Sequence, residues 1–490
     1  MIGDVPRAIL PARDATGQTM SDDTVGSPAT DALPRMRLAP ARFSPGRPSG
    51  LARRSASERR AAQGLALALA ALATVAGLGL ALRLSGSGLG IGASYAWFRT
   101  TEASYDSWGP MITAFHYLRN GEGGLYDVFF VAHVKFQYPP ASLSLIWLLD
   151  ALGITARDAQ LRALNLATWC SVLLTVPFVF GIAWNVGRPR LGESPRATRM
   201  RTAACLAIAA LTLVFWPVML SWTIGQIQTT LNLLFVASLY AWTCGRRGLA
   251  GACIGLICLF KPQFLLFLPW ALLVDRRFLV GQLLTCVPIL GVSLLVFGPE
   301  THLAYLKVLS FLSAHGESYV LNQSVNGVLN RLVHPETAWV DRGRVWLEGS
   351  DFPPYDRVVH LASTATTLAA TAAAFWLAWR RGGTVSTFCF AALAMTLASP
   401  IAWDHHYGIL IGVYAAAFGL LSATLARGRR PGGLEAAFLL CGAMVGIRMM
   451  PRLPDHPWLE NLLLSHLFAG ALVMLWLTWR LTEVEAARRP

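Results

Sequence analysis

Long apolar runs separated by short charged turns fill the chain from residue 63 to about residue 480. A run of 18 or more such residues is long enough to cross a hydrocarbon core of about 30 Å as a helix. The pattern predicts about twelve transmembrane helices, over 63–84, 138–153, 161–184, 203–222, 226–243, 249–273, 279–297, 358–379, 384–402, 406–425, 433–449 and 458–479. The second is short and is expected to be tilted or re-entrant. The fold expected is an all-α polytopic membrane bundle with two larger loops, 85–137 and 298–357, on one face. In the first loop, Trp108, Met111, Ile112, Phe115 and Leu118 recur at three-to-four-residue spacing within "DSWGPMITAFHYLRNG". That spacing predicts a short amphipathic helix lying on the bilayer surface.

Composition agrees with the pattern. Hydrophobic residues make up 54% and charged residues 14%, whereas a soluble domain carries about a quarter charged residues. The net charge of +14 does not point to nucleic acid. Much of it lies in "RLAPARFSPGRPSGLARRSASERR" and in short loops such as "RRGG" and "RGRRPGG", where arginines set orientation and touch anionic headgroups. The eight cysteines all fall in or beside apolar segments with no CxxC pair, so neither a disulfide framework nor a zinc site is implied. Residues 1–61 lack apolar periodicity and are rich in Pro, Ala, Ser, Arg and Asp, which predicts a disordered tail. The expected organisation is that tail, a membrane domain over 62–480 and a short C-terminal tail over 481–490.

"RRSASERR" before the first span predicts a cytoplasmic N-terminus. Alternation then places both long loops, and the junction near residue 404, on the outer face. The basic segments 187–201 and 245–248 come out external in this count, against the positive-inside trend. A miscounted second or fourth span would account for them.

Polar residues inside the apolar background are the candidates for chemistry. Asp106 follows the first span at the membrane rim, with Tyr126, Asp127, Tyr138, Pro139 and Pro140 after it. A carboxylate there suits a general base for a hydroxyl, or it caps the amphipathic helix. Gln226, Gln228 and Asn232 in "GQIQTTLNLL" need polar partners, either neighbouring helices or a ligand. Lys261 lies mid-run in "AGACIGLICLFKPQ", where a cation faces a cavity or an internal partner, and Pro262 beside it predicts a kink. "LNQSVNGVLNRL" offers Asn322, Gln323 and Arg331 for sugar hydroxyls and a phosphate. Asn322-Gln323-Ser324 also matches the glycosylation acceptor pattern, a weak signal. "SPIAWDHHY" sets Asp404, His405 and His406 between two apolar runs. A metal site, a structural cluster and a polar site on an outer-leaflet cavity are the readings open for it.

Taken in order, Asp106 with "GEGGLYD" and "YPP", then "GQIQTTLNLL", "AGACIGLICLFKPQ", "LNQSVNGVLNRL" and "SPIAWDHHY" give the chain a resemblance to the polytopic glycosyltransferases of family 87. That family lies within the GT-C superfamily and includes mannosyltransferases that use polyprenyl-phosphate-mannose. The resemblance implies a GT-C-like bundle that inverts the anomeric centre, with Asp106 matching the family's catalytic aspartate; Asp127 and Glu102 lie close by as alternatives. It implies His405 and His406 as site residues, since "SPISWxHH" is the family signature and Asp404 fills the variable position. Lys261 and Arg331 are the cations suited to a departing phosphate, and Asn322, Gln323, Gln226 and Tyr138 are expected to bind substrate. The implied partners are a polyprenyl-phosphate-linked sugar, a glycolipid or glycan acceptor and membrane lipids. No Gly-rich phosphate loop or outer-loop DxD motif occurs, so neither a cofactor nor a metal is expected. A transporter or lipid flippase is the rival class.

Overall fold

The computed structural model describes residues 50–84, 106–188, 193–335, 352–425, 432–449, 453 and 455–486. Most of the expected tail, Glu102, the basic loop 427–430 and the last four residues lie outside them. The described residues are overwhelmingly helical and form no β-strand, with one isolated antiparallel bridge between Asn322 and Trp403. Large apolar side chains such as Leu272, Leu284 and Leu295 are exposed on outer faces, as expected where lipid is the solvent. This is an all-α polytopic membrane protein.

The expectation of about twelve spans is met in part. Among the described residues, seven helices are long and apolar enough to cross a membrane: Ala56–Ala81, Arg157–Gly187, Pro195–Thr223, Arg276–Phe297, Arg357–Arg381, Asp404–Leu425 and His466–Ala486. Pro140–Ala151, Arg247–Cys258, Pro262–Val274, Val385–Leu397 and Gly433–Val445 are shorter apolar helices. At both ends helices run past the expected boundaries. The first begins at Gly50, inside the expected tail, and the last continues to Ala486.

Two interruptions shape the site. The run 249–273 is not one helix, because Pro262 has no amide hydrogen to donate and disfavours helical backbone at the residue before it. Lys261 accordingly takes φ −127° and ψ 88° between the helices Arg247–Cys258 and Phe267–Val274. The run 384–402 is helical only to Leu397, and an irregular turn leads to a 3-10 segment, Asp404–Ile409, before helix Leu410–Leu425. Helix Arg247–Cys258 packs backbone to backbone on helix Arg276–Phe297. A Cβ at Gly281 would lie 1.9 Å from the carbonyl oxygen of Gly248, the close approach that small residues give membrane helices.

The helices nearest the site are labelled α1 (Trp108–Arg119), α2 (Pro299–His315), α3 (Val325–Val333) and α4 (Arg357–Arg381). Helix α1 is the expected amphipathic helix, but it does not present its apolar stripe to a bilayer surface. Trp108, Met111, Ile112 and Phe115 are buried in the core, and the Trp108 indole donates to Thr168 Oγ1 at 3.3 Å. Its N-cap is Ser107, so Asp106 is not spent on capping.

Candidate active site

A cavity of about 500 Å³ gathers residues that are distant in sequence. Asp106, Lys135, Tyr138, Gln226, Lys261, His405 and His406 line its polar part. Leu309 and Leu312 of α2 and Leu368 of α4 line an apolar part. Six of the residues that the sequence marks as candidates therefore share one chamber.

Asp106 is placed by the turn that ends helix Trp216–Thr223. Gly225 adopts φ +66°, a conformation open to glycine at little steric cost. The turn leaves the Ile224 and Gly225 carbonyls to accept from the backbone amides of Asp106 at 2.8 Å and Ser107 at 3.2 Å. The Ile227 amide in turn donates to Ser107 Oγ at 3.1 Å. The Gln226 side chain then holds the carboxylate, its Nε2 donating to Asp106 Oδ2. Gln226 Oε1 accepts from Ser107 Oγ, and from the Tyr138 hydroxyl at 3.2 Å. The first glutamine of "GQIQ" thus has a defined task, which is to aim a carboxylate. The second, Gln228, bonds Asn232 Oδ1 at 2.9 Å inside the protein.

Around the same cavity, Lys261 Nζ lies 2.7 Å from His406 Nε2 and 5.9 Å from the centre of the Tyr138 ring. The Trp403 amide donates to His406 Nδ1 at 3.2 Å, which fixes the imidazole against the 3-10 turn. His405 meets His406 edge to face at 4.6 Å. Asp404 departs from its neighbours: it is buried away from the cavity and accepts from the Trp216 indole at 2.8 Å. It anchors the turn that carries the imidazoles.

Lys135 was not singled out from the sequence. Its ammonium is 2.5 Å from Glu317 Oε1 and 4.0 Å from the Trp403 ring centre, while the Trp403 indole donates to Glu317 Oε2. A lysine three positions before Tyr138 in "HVKFQYPP" was the available signal. Its partner Glu317 lies 182 residues away, so no local pattern links them.

Three expected substrate contacts are corrected. Asn322, Gln323 and Arg331 do not line the cavity; they are buried behind it. Asn322 Nδ2 donates to the Glu317 and Pro400 carbonyls at 2.7 and 3.1 Å, and its Oδ1 accepts from the Ala402 amide at 3.0 Å. Gln323 Nε2 donates to the Leu464 carbonyl at 2.8 Å. Arg331 donates to Asn461 Oδ1 at 2.7 Å, to the Asn322 carbonyl at 2.8 Å and to Ser465 Oγ at 2.8 Å. Burial pulls its guanidinium down to about 10, against the opposing field of Asp404. The physical reason is satisfaction of buried polar groups: Asn322 serves the peptide groups of the non-helical segment 398–403, whereas Gln323 and Arg331 serve carbonyls and side chains at Asn322, Asn461, Leu464 and Ser465. The Asn322-Gln323-Ser324 acceptor pattern is equally enclosed, with Ser324 Oγ donating to the Pro400 carbonyl at 2.8 Å. Asp127 is exposed and accepts from the Gly124 amide at 2.8 Å, closing a turn away from the cavity.

The model of glycosyltransferase family 87 matches residues 136–400, more than half of the chain. No curated protein and no solved structure matches it. Tyr138, Gln226 and Lys261 lie inside the matched segment, whereas Asp106, His405 and His406 lie outside it and join them through the cavity. On that match the chain belongs to glycosyltransferase family 87, a family of membrane glycosyltransferases.

Proposed function

We propose that the protein transfers a hexose from a polyprenyl-phosphate donor to a glycolipid or glycan acceptor, with inversion and with Asp106 as general base. The observation that carries this reading is the convergence of Asp106, Lys261, His405 and His406 on one cavity that also has leucine walls. A donor with an anionic head and a hydrocarbon tail fits both parts. Mannose is the sugar to which the family resemblance points. Family membership sets aside the transporter and flippase class.

In the proposed step the acceptor hydroxyl oxygen attacks the anomeric carbon and its proton passes to Asp106. The bond from that carbon to the phosphate oxygen breaks, and polyprenyl phosphate leaves with the electron pair. A single displacement inverts the anomeric configuration. Gln226 holds Oδ2 of the base, which leaves the carboxylate in a fixed orientation for the acceptor. Lys261, with His406 beside it, faces the charge that develops on the phosphate. His405 and Tyr138 complete the wall. The arginines before the first span support a cytoplasmic N-terminus in a bacterial-type plasma membrane, with the cavity opening to the outer leaflet.

The test is Asp106→Asn, assayed with a radiolabelled polyprenyl-phosphate sugar. The expected result is loss of transfer by a factor on the order of 10²–10⁴, with expression and membrane insertion unchanged. Turnover at the wild-type rate removes Asp106 from the role of base.

A further inference from the structure

A separate concavity lies on the outside of the bundle. It is built by α4, α5 (Val385–Leu397) and α6 (His466–Ala486). Trp376 of α4 stands in one wall and Trp476 and Trp479 of α6 in the other, all three exposed, with the buried Phe390 of α5 at the floor. The groove measures about 390 Å³, within the range of about 300–1,000 Å³ that ligand sites occupy. It shares no residue with the active-site cavity, whose lining on α4 ends at Leu368.

Arginines stand at one end of this groove. Arg380 and Arg381 follow the wall residues Trp376 and Leu377 by four positions, so each lies one turn beyond a lining residue on the same helix face. Arg480 follows Trp476 in the same way, and its guanidinium carbon lies 5.9 Å from the centre of that ring. Both wall helices run in the same direction. Glu485, near the end of α6, accepts from the Val385 and Ser386 amides at 3.2 and 2.7 Å, and these open α5 just after α4 ends at Arg381. The charges are not all free. Glu483 holds Arg480 at 3.2 Å, and Glu485 is taken up by the two amides. Among the described residues no ion pair involves Arg380 or Arg381, and both are exposed. An apolar trough thus ends at two guanidiniums that are open to an anion.

We infer that the groove holds an anionic phospholipid, with one acyl chain between the tryptophans and the phosphate against Arg380 and Arg381. Guanidinium pairs well with phosphate oxygens, and a headgroup of net negative charge complements the two arginines where a zwitterionic one carries its own cation. Tryptophan and arginine occur at any membrane interface. Here they line a concavity with walls on two sides and a floor, which covers a chain that a convex surface would leave among other lipids. A second copy of the chain fits less well. Packing the same face on itself about an axis along the membrane normal would bring the arginines of both copies together. The inference does not depend on the chemistry proposed for the cavity.

The experiment takes the full chain in detergent, stripped of lipid, and titrates it with phosphatidylglycerol or phosphatidylcholine of identical acyl chains, counting bound lipid by native mass spectrometry. Phosphatidylglycerol should bind about tenfold more tightly. The double variant Arg380→Gln, Arg381→Gln should bring it down to the affinity of phosphatidylcholine. Ala373→Phe sets a ring into the groove from the α4 wall without removing a charge, and it should weaken both lipids. Photo-crosslinking of the wild-type chain does not depend on a variant folding. Phosphatidylglycerol with a photoreactive group in its acyl chain should label α4 and α6 at the groove residues. Equal affinity for the two lipids overturns the inference, as does a phosphatidylglycerol preference that survives loss of both arginines. Binding untouched by Ala373→Phe, or label spread over the other lipid-facing helices, removes the lipid from the groove. A dimer that Ala373→Phe dissociates assigns the groove to a second copy and overturns the inference as well.

Discussion

The cavity wall around Lys261 and the buried segment 321–332 look alike as sequence, each a polar group set among apolar residues, yet they do opposite work. Lys261 sits where a proline has broken a helix, and its side chain reaches a histidine and the cavity. Arg331 sits on a regular helix, α3, and its guanidinium is taken up by an asparagine, a serine and a backbone carbonyl. The difference lies in the neighbouring backbone. Segment 398–403 runs without helical pairing through the protein interior and is met by the Asn322 and Ser324 side chains, while Arg331 braces the Asn322 carbonyl from behind. Of these two buried cations, Lys261 lines the cavity, whereas Arg331 is taken up by acceptors behind it.

The widest separation between the two regions should come from substituting their cations. Lys261→Met is expected to lower kcat/KM for the lipid-linked donor by about a hundredfold, with the unfolding midpoint close to wild type. Arg331→Met leaves at least three acceptors unpaired in the interior and should destabilise the fold by about 3 kcal/mol. Its activity loss should follow the folded fraction. Thermal unfolding and donor kinetics on both variants provide the check. A stable Arg331→Met protein with a donor KM raised as far as in Lys261→Met would return Arg331 to the phosphate and erase the contrast.

Much of this was legible beforehand, and the misses have physical causes. Apolar run length showed the membrane class, but it does not distinguish a full span from a helix of thirteen residues followed by irregular chain, as Val385–Leu397 shows. The stripe of Trp108, Met111, Ile112 and Phe115 announced an amphipathic helix. The same stripe serves a bilayer surface or a protein core, and here it is core. Pro262 marked the break at Lys261 correctly, because the effect of proline is local. The partners of Arg331 were invisible because Asn461 and Ser465 lie 130 and 134 residues away and belong to no motif with it. Lys135 was missed for the same reason. Asp106, Gln226, His405 and His406, which the ordered motifs marked, come together at one cavity.

Within the cavity, Gln226 divides orientation from chemistry. Gln226→Leu removes the donor on Asp106 Oδ2 and the acceptor shared by Ser107 and Tyr138. The carboxylate keeps its backbone anchors to Ile224 but loses its aim. The expected result is a fall in kcat of about tenfold, smaller than for loss of the base, with donor KM little changed. A fall as deep as that of Asp106→Asn would mean that the amide itself contacts the reacting atoms.

The smallest effect belongs to the carboxylate that sequence alone could not separate from Asp106. Asp127 bonds the Gly124 amide at 2.8 Å on an exposed turn, and a neutral amide keeps an oxygen in the same place. Asp127→Asn should therefore change transfer by less than about twofold and stability by less than about 1 kcal/mol. The pairing with Asp106→Asn matters more than either variant alone. Both substitutions remove one negative charge from the same stretch of chain, so a general electrostatic effect would lower activity in both. A base that must sit within reach of the acceptor hydroxyl predicts that only residue 106, which the turn at Gly225 holds at the cavity, is sensitive. Equal losses in the two variants would show that charge in the loop, and not the position of one carboxylate, governs transfer.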